Sequence, residues 1–149
     1  MAEHDHRRLA VDTFNETWDL IETADRTEAQ DLDMLTAALA SRYHWRHAGE
    51  PRNHAMSDWQ VSRTLAVMGE SDLARAFAAS SMEICIEHDL DAFMVVFAEE
   101  ALARALLAGG DKRAARDVLE RATALAATID DAEDRKVAEA DLDELRAKL

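Results

Sequence analysis

Apolar residues recur every three to four positions through most of the chain, which is the period of an amphipathic helix. Val11, Phe14, Trp18 and Ile21 mark one face of a helix predicted over 7–24. Thr27 then opens a second helix, because Gln30 three residues on completes a capping box that satisfies free N–H groups of the first turn. This helix is predicted to reach His47, with Leu32, Leu35 and Leu39 as its apolar stripe. Ala37, Ala40, Ser41 and His44 form a stripe of small residues on which another helix can approach closely. Gly49 ends it, and Pro51 and Asn53 lead into a third helix over 54–68. Gly69 closes that helix, and Ser71 or Asp72 caps a fourth that runs to His88. Asp89 or Asp91 starts a fifth, which ends at Gly109-Gly110. Asp111 caps a sixth, reaching Ile129 with Ala115, Val118, Leu119, Ala122 and Leu125 inward. Asp130 or Asp131 caps a seventh, where Val137, Leu142, Leu145 and Leu149 are apolar marks among many charges. No stretch keeps the two-residue alternation of a strand. The fold class read from this pattern is all-α.

The punctuation repeats. Laying Gly69 on Gly110, an offset of 41, puts Arg63 on Arg104, Leu65 on Leu106, Ala74 on Ala115 and Ser81 on Ala122. The same step back from Trp59 reaches Trp18. Small residues therefore recur where paired helices must touch. Three helix–turn–helix units are predicted, over 7–48, 52–88 and 91–129, with a capping helix over 131–148. The first unit is the most diverged, with Asp33 standing where Ala74 and Ala115 stand later. A highly charged last helix suits a cap over the end of such a stack. The predicted architecture is a right-handed α-solenoid of three antiparallel helix pairs plus that cap.

The stretches Leu65-Ala66-Val67-Met68-Gly69-Glu70-Ser71-Asp72-Leu73-Ala74 and Leu106-Leu107-Ala108-Gly109-Gly110-Asp111-Lys112-Arg113-Ala114-Ala115 resemble the tetratricopeptide repeat. That pattern places a Gly in the turn between paired helices and an Ala five residues later. The match covers residues 55–129 well and the first unit loosely. It departs from the family in its period, 41 against about 34, and in lacking the closing Pro. The chain as a whole is similar to small bacterial tetratricopeptide-like proteins. The resemblance implies a fold and a style of binding: the first helix of each pair lines a concave surface. Its ligand-facing positions fall on Asn15, Trp18, Glu22 and Asp25 in the first unit. They fall on Met56, Trp59, Arg63 and Ala66 in the second, and on Phe97, Glu100, Arg104 and Leu107 in the third. The candidate binding residues are thus Trp18, Met56, Trp59, Arg63, Phe97, Glu100 and Arg104. Trp and Arg are enriched at binding hot spots because they combine area, hydrogen bonding and cation–π contact. The same spacing also has a packing explanation. Arg63 lies four residues from Trp59 and can stack on it; Glu100 lies four from Arg104 in the favoured acid-first order, or bridges to Arg63.

Composition narrows the partners. A chain of 149 residues suits one domain. Its net charge of −14 argues against nucleic acid and anionic membranes as partners, and favours a basic protein or peptide. No run approaches the ~20 apolar residues of a membrane span, and the opening MAEHDHRR has no apolar core of a signal peptide. A cytoplasmic location is expected. Arg outnumbers Lys and Ala is abundant, which suits a GC-rich bacterial genome. Cys85, the lone cysteine, sits in an apolar run and reads as a small buried hydrophobe. No nucleophile elbow, Gly-rich phosphate cradle or cofactor motif is present, and no enzyme activity is expected. Glu99-Glu100 beside Arg104 is the carboxylate pair to check for perturbed titration.

His44, His47 and His54 are the candidate metal ligands, since two His at i, i+3 can share an ion; no HExxH or Cys pair accompanies them. His4 and His6 are expected to be solvated. The function expected is a non-catalytic module that binds a peptide, protein or small ligand in a groove lined by the first, third and fifth helices. The contrasting expectations are a small-ligand sensor or metal-dependent enzyme built on His44, His47 and His54, and a self-associating scaffold that forms a homodimer.

Overall fold

The computed structural model describes residues 1–149. It has seven helices and no strand: α1 (Glu3–Glu22), α2 (Glu28–Ala48), α3 (Pro51–Val67), α4 (Ser71–Glu87), α5 (Ala92–Ala108), α6 (Lys112–Ala126) and α7 (Ala132–Arg146). Each helix packs on the next; in addition α3 touches α1 and α5, and α5 touches α7. Ser41 Oγ near the end of α2 donates to the Ala10 carbonyl early in α1, so those two helices run antiparallel. Ser81 of α4 does the same to Ala55 of α3, and Ser62 of α3 reciprocates onto Ala74 of α4. Small side chains thus let the backbones close, and each buried hydroxyl takes a carbonyl as its acceptor. Trp18 meets Trp59, and Trp59 meets Glu100, so α1, α3 and α5 lie side by side in the same direction. The arrangement is consistent with a helical solenoid.

Local chemistry explains the boundaries. Thr27 and Gln30 form the expected capping box on α2. Helix α3 begins one turn before the expected start. Pro51 occupies its first turn, where the missing N–H is harmless, and Glu50 and Asn53 close a second capping box. Helices α3 and α5 end in the same turn, 41 residues apart. Gly69 and Gly110 adopt φ of 82° and 85°, while Glu70 and Asp111 N–H groups reach back to the Leu65 and Leu106 carbonyls. That turn delivers the chain directly into α4, whose N-cap is Glu70 without a side-chain cap bond. Ser71 and Asp72, the expected caps, lie inside the first turn instead. Asp91, Asp111 and Asp131 cap α5, α6 and α7 by accepting from Met94, Ala114 and Asp134 N–H. Helix α1 starts at Glu3 rather than at Arg7, and α6 ends at Ala126, although Ile129 beyond it is buried as expected.

The largest part of the core lies among α5, α6 and α7, where Val96, Leu106, Val118, Leu119, Leu142 and Leu145 interlock. The apolar stripe expected on α2 is largely outside: Leu32 is 57% and Leu39 41% exposed. Helix α2 instead buries Met34, Ala37, Ala38, Ser41 and Trp45. Its small-residue face wins because α1 approaches to hydrogen-bond distance there, which leaves no room for a Leu. Of the three leucines only Leu35 packs onto the core, together with Phe77. Val137 is likewise exposed, and α7 docks through Ala138, Leu142 and Leu145. No helix is long and apolar enough to cross a membrane.

Candidate functional site

Two rows of side chains cross α1, α3 and α5 at the 41-residue register. The first row is Trp18, Trp59 and Glu100. The Trp18 and Trp59 rings stand 5.6 Å apart, and Phe97 meets Trp59 edge-on at 5.3 Å. Trp59 Nε1 donates to Glu100 Oε2 at 2.9 Å. Both are packed: Trp59 is 7% exposed and Glu100 0%. The second row, one turn on, is Glu22, Arg63 and Arg104. The Arg63 guanidinium lies over Trp18 at 5.0 Å and over Trp59 at 5.9 Å, a cation–π seat between two indoles. Arg104 Nε donates to Glu100 Oε1 at 2.6 Å, and its Nη2 crowds the same oxygen at 2.5 Å.

A buried carboxylate needs donors in place of the water it has lost. Glu100 takes them from α3 and from its own helix, so it ties the two together. The balance is uneven, however. Arg63 Nη1 is 3.7 Å from Glu100 Oε1, beyond hydrogen-bond reach. Arg63 Nη1 and Arg104 Nη2 are both buried without an aligned acceptor.

These groups border a cavity of about 480 Å³, lined by Trp18, Glu22, Arg63 and Arg104 from α1, α3 and α5, and by Glu144 and Lys148 from the C-terminal segment. Glu144 sits 3.6 Å from Arg104 Nη1 and 3.4 Å from Lys148 Nζ. Its partial burial works against ionisation, but the Arg104 and Arg63 guanidiniums outweigh that and hold it below its ordinary value. Asp141, one turn earlier, is pushed up by burial and by the Glu100 charge, more than Arg63 and Arg104 pull it down.

The residues singled out from the sequence are thus divided between two sites. Trp18, Arg63 and Arg104 line the large cavity. Met56, Trp59 and Phe97 line a separate, mostly apolar cleft of about 90 Å³ with Phe93, Met94 and Ser81. Glu100 lines neither, and bonds Trp59 of the one and Arg104 of the other. Glu99 turns the other way, to Arg121 on α6 at 3.0 Å. The contribution of α7 was not foreseen, because its charges resemble a solvated face and the 41-residue register stops before it.

Asp58 on α3 was also missed. It is fully buried, with Arg42 Nε at 2.5 Å, Arg46 Nη2 at 3.0 Å and Ser80 Oγ at 2.5 Å. Arg42 and Arg46 are spaced i, i+4 on α2, but that spacing alone does not point to Asp58. This network clamps α2, α3 and α4, and it faces no cavity described above.

The histidines separate. His54 Nε2 lies 3.0 Å from the Trp45 carbonyl, away from the other two. His44 Nδ1 instead meets His6 Nδ1 at 2.8 Å, and His47 stacks on the His6 ring at 4.6 Å. His6, expected to be solvated, therefore docks the start of α1 onto the end of α2. No three His, Cys, Asp or Glu side chains are grouped closely enough to hold a metal ion. Burial, then the Asp91 charge, pushes the Cys85 thiol up to about 11, so its reactive thiolate is scarce at neutral pH.

Comparison with protein-family models, with curated proteins and with solved structures found no match for this chain.

Proposed function

We propose that the chain is a non-catalytic interaction module, a tetratricopeptide-like α-solenoid that binds a peptide, protein or small ligand in its concave groove. In this reading residues 7–48, 52–88 and 91–129 are three antiparallel helix pairs in a right-handed stack, and 131–148 is the capping helix. One observation carries it: Trp18, Arg63 and Arg104 converge from three aligned helices on one cavity of about 480 Å³. That size falls within the range of ~300–1,000 Å³ of small-ligand pockets, and its mix of indole, aliphatic and guanidinium groups suits recognition. Met56, Trp59 and Phe97 form an apolar cleft beside it into which a longer ligand extends, and Glu100 fixes the spacing of the walls.

The test is a screen of a mixed peptide and fragment library against the native chain and Val67→Trp. Val67 lines the cavity and is half exposed, so the larger side chain fills the mouth without entering the core. Ligands bound by the native chain should lose at least ten-fold in affinity on Val67→Trp, with helicity unchanged. Hits that bind both forms equally would place recognition elsewhere.

A further inference from the structure

We propose that the outer face of α2 pairs antiparallel with α2 of a second copy of this chain. The surface is separate from the groove, and the inference stands apart from the reading of that groove. The helices packed on α2 are α1 and α3, and the side turned towards them takes Met34, Ala37, Ala38, Ser41 and Trp45. The opposite side carries Glu28, Leu32, Thr36, Leu39, Tyr43 and Arg46, in steps of three and four that keep to one face. All six are exposed, Leu32 by 57%, Leu39 by 41% and Tyr43 by 58%. Thr36 bonds its hydroxyl to the Leu32 carbonyl, so it adds no unmet donor to the stripe. Exposed leucines scattered singly need no explanation. Here two leucines and a tyrosine share one stripe, with an acid at its start and a base at its end.

That order selects the occupant, because acid, apolar centre and base complement their own reverse. When a second α2 is turned end over end, Leu32 meets Tyr43 of the second copy and Thr36 meets its Leu39. Glu28 then falls beside its Arg46, and two-fold symmetry makes every contact twice. Glu28 is free of the chain's own ion pairs, and Arg46 gives Nη2 to Asp58 while its side chain stays on the surface. Parallel pairing would set acid against acid and base against base, and a partner of one charge would satisfy one end only. The net charge of −14 opposes the approach of two copies. A single helix pair also falls below the ~1,200 Å² that separates weak interfaces from stable ones, so the dimer is expected to form and dissociate with concentration.

Sedimentation velocity of the full chain, from micromolar to about 1 mM protein, tests this. The mass should rise with concentration from one chain towards two. Leu39→Glu, at the exposed centre of the stripe, should weaken association by about ten-fold or more, and Glu28→Lys several-fold, with helicity unchanged in both. Val67→Trp, in the groove, should leave association unchanged. Oxidation of an equimolar mixture of Leu32→Cys and Tyr43→Cys chains should link unlike chains in preference to like ones; Cys85 is buried and does not compete. A single-chain mass at every concentration, a dimer that survives Leu39→Glu, no effect of Glu28→Lys, or preferential linkage of like chains would overturn the pairing. A dimer dispersed by Val67→Trp would overturn it too, by placing the second copy in the groove.

Discussion

A carboxylate at 0% exposure needs donors where water would stand, and Glu100 draws its donors from two helices. Glu100→Gln keeps an acceptor for Trp59 but removes the charge that offsets Arg104 and Arg63. Breaking a buried ion pair from one side typically costs ~3–5 kcal/mol, and the surviving amide oxygen places this case near the lower end, about 3 kcal/mol. Urea unfolding of the variant should show that loss; a change below about 1 kcal/mol would mean that the pair is not structurally important. Glu100 could be picked out from the sequence because it falls 41 residues after Trp59, as Trp59 does after Trp18. Asp58 could not. Its partners come from α2 and α4, and no repeat places them, so a buried Asp in a polar run looks like any solvated helix residue.

At the scale of elements, helix ends were more legible than helix faces. Thr27, Asp91, Asp111 and Asp131 cap as their side chains require, because capping is chemistry between residues two or three apart. The faces of α2 were misjudged because burial depends on which neighbour arrives. The close approach of α1 at Ala10 and Ser41 favoured the small side chains over Leu32 and Leu39.

The start of α1 carries a pH-dependent contact. Partial burial, then the neighbouring His47 and His44, hold His6 below its ordinary value of 6.5, with the N-terminal amine adding to this and Asp5 opposing it. A lowered histidine favours the neutral ring in the docked state. Docking is therefore at full strength above pH 6.5 and weakens as pH falls through that value towards the lower docked one. Amide exchange in residues 3–10 should speed up, beyond the intrinsic pH effect, between pH 7.5 and 5, and His6→Gln should remove that dependence. Protection that does not change over this range would show that the His6–His44 contact does not anchor the helix.

On the scale of the whole molecule, the sequence register accounts for the aligned rows on α1, α3 and α5, and hence for most of the cavity wall. It does not account for its closure. Helix α7 lies outside the repeat, yet Glu144 and Lys148 complete the lining, and Leu142 and Leu145 fasten the helix to the largest core cluster. A helix that buries Leu142 and Leu145 and also brings Glu144 to the cavity cannot be told from a solvated end helix by its pattern alone. The net charge of −14 also hides the local picture, in which the largely covered Arg63 and Arg104 guanidiniums flank one fully buried carboxylate and Arg104 also faces Glu144.

The three tryptophans supply an internal control for the central claim, since Trp18 and Trp59 stand ring to ring and each lines one of the two cavities, while Trp45 lines neither and packs under Arg7 near the end of α2. The most direct measurement is the three indole N–H signals in a ¹⁵N-labelled sample, followed through titration with a ligand obtained from the library screen. Binding in the groove predicts that Trp18 and Trp59 shift together and saturate with one affinity while Trp45 stays in place. A response confined to Trp45, or saturation with none of the three moving, would contradict the account.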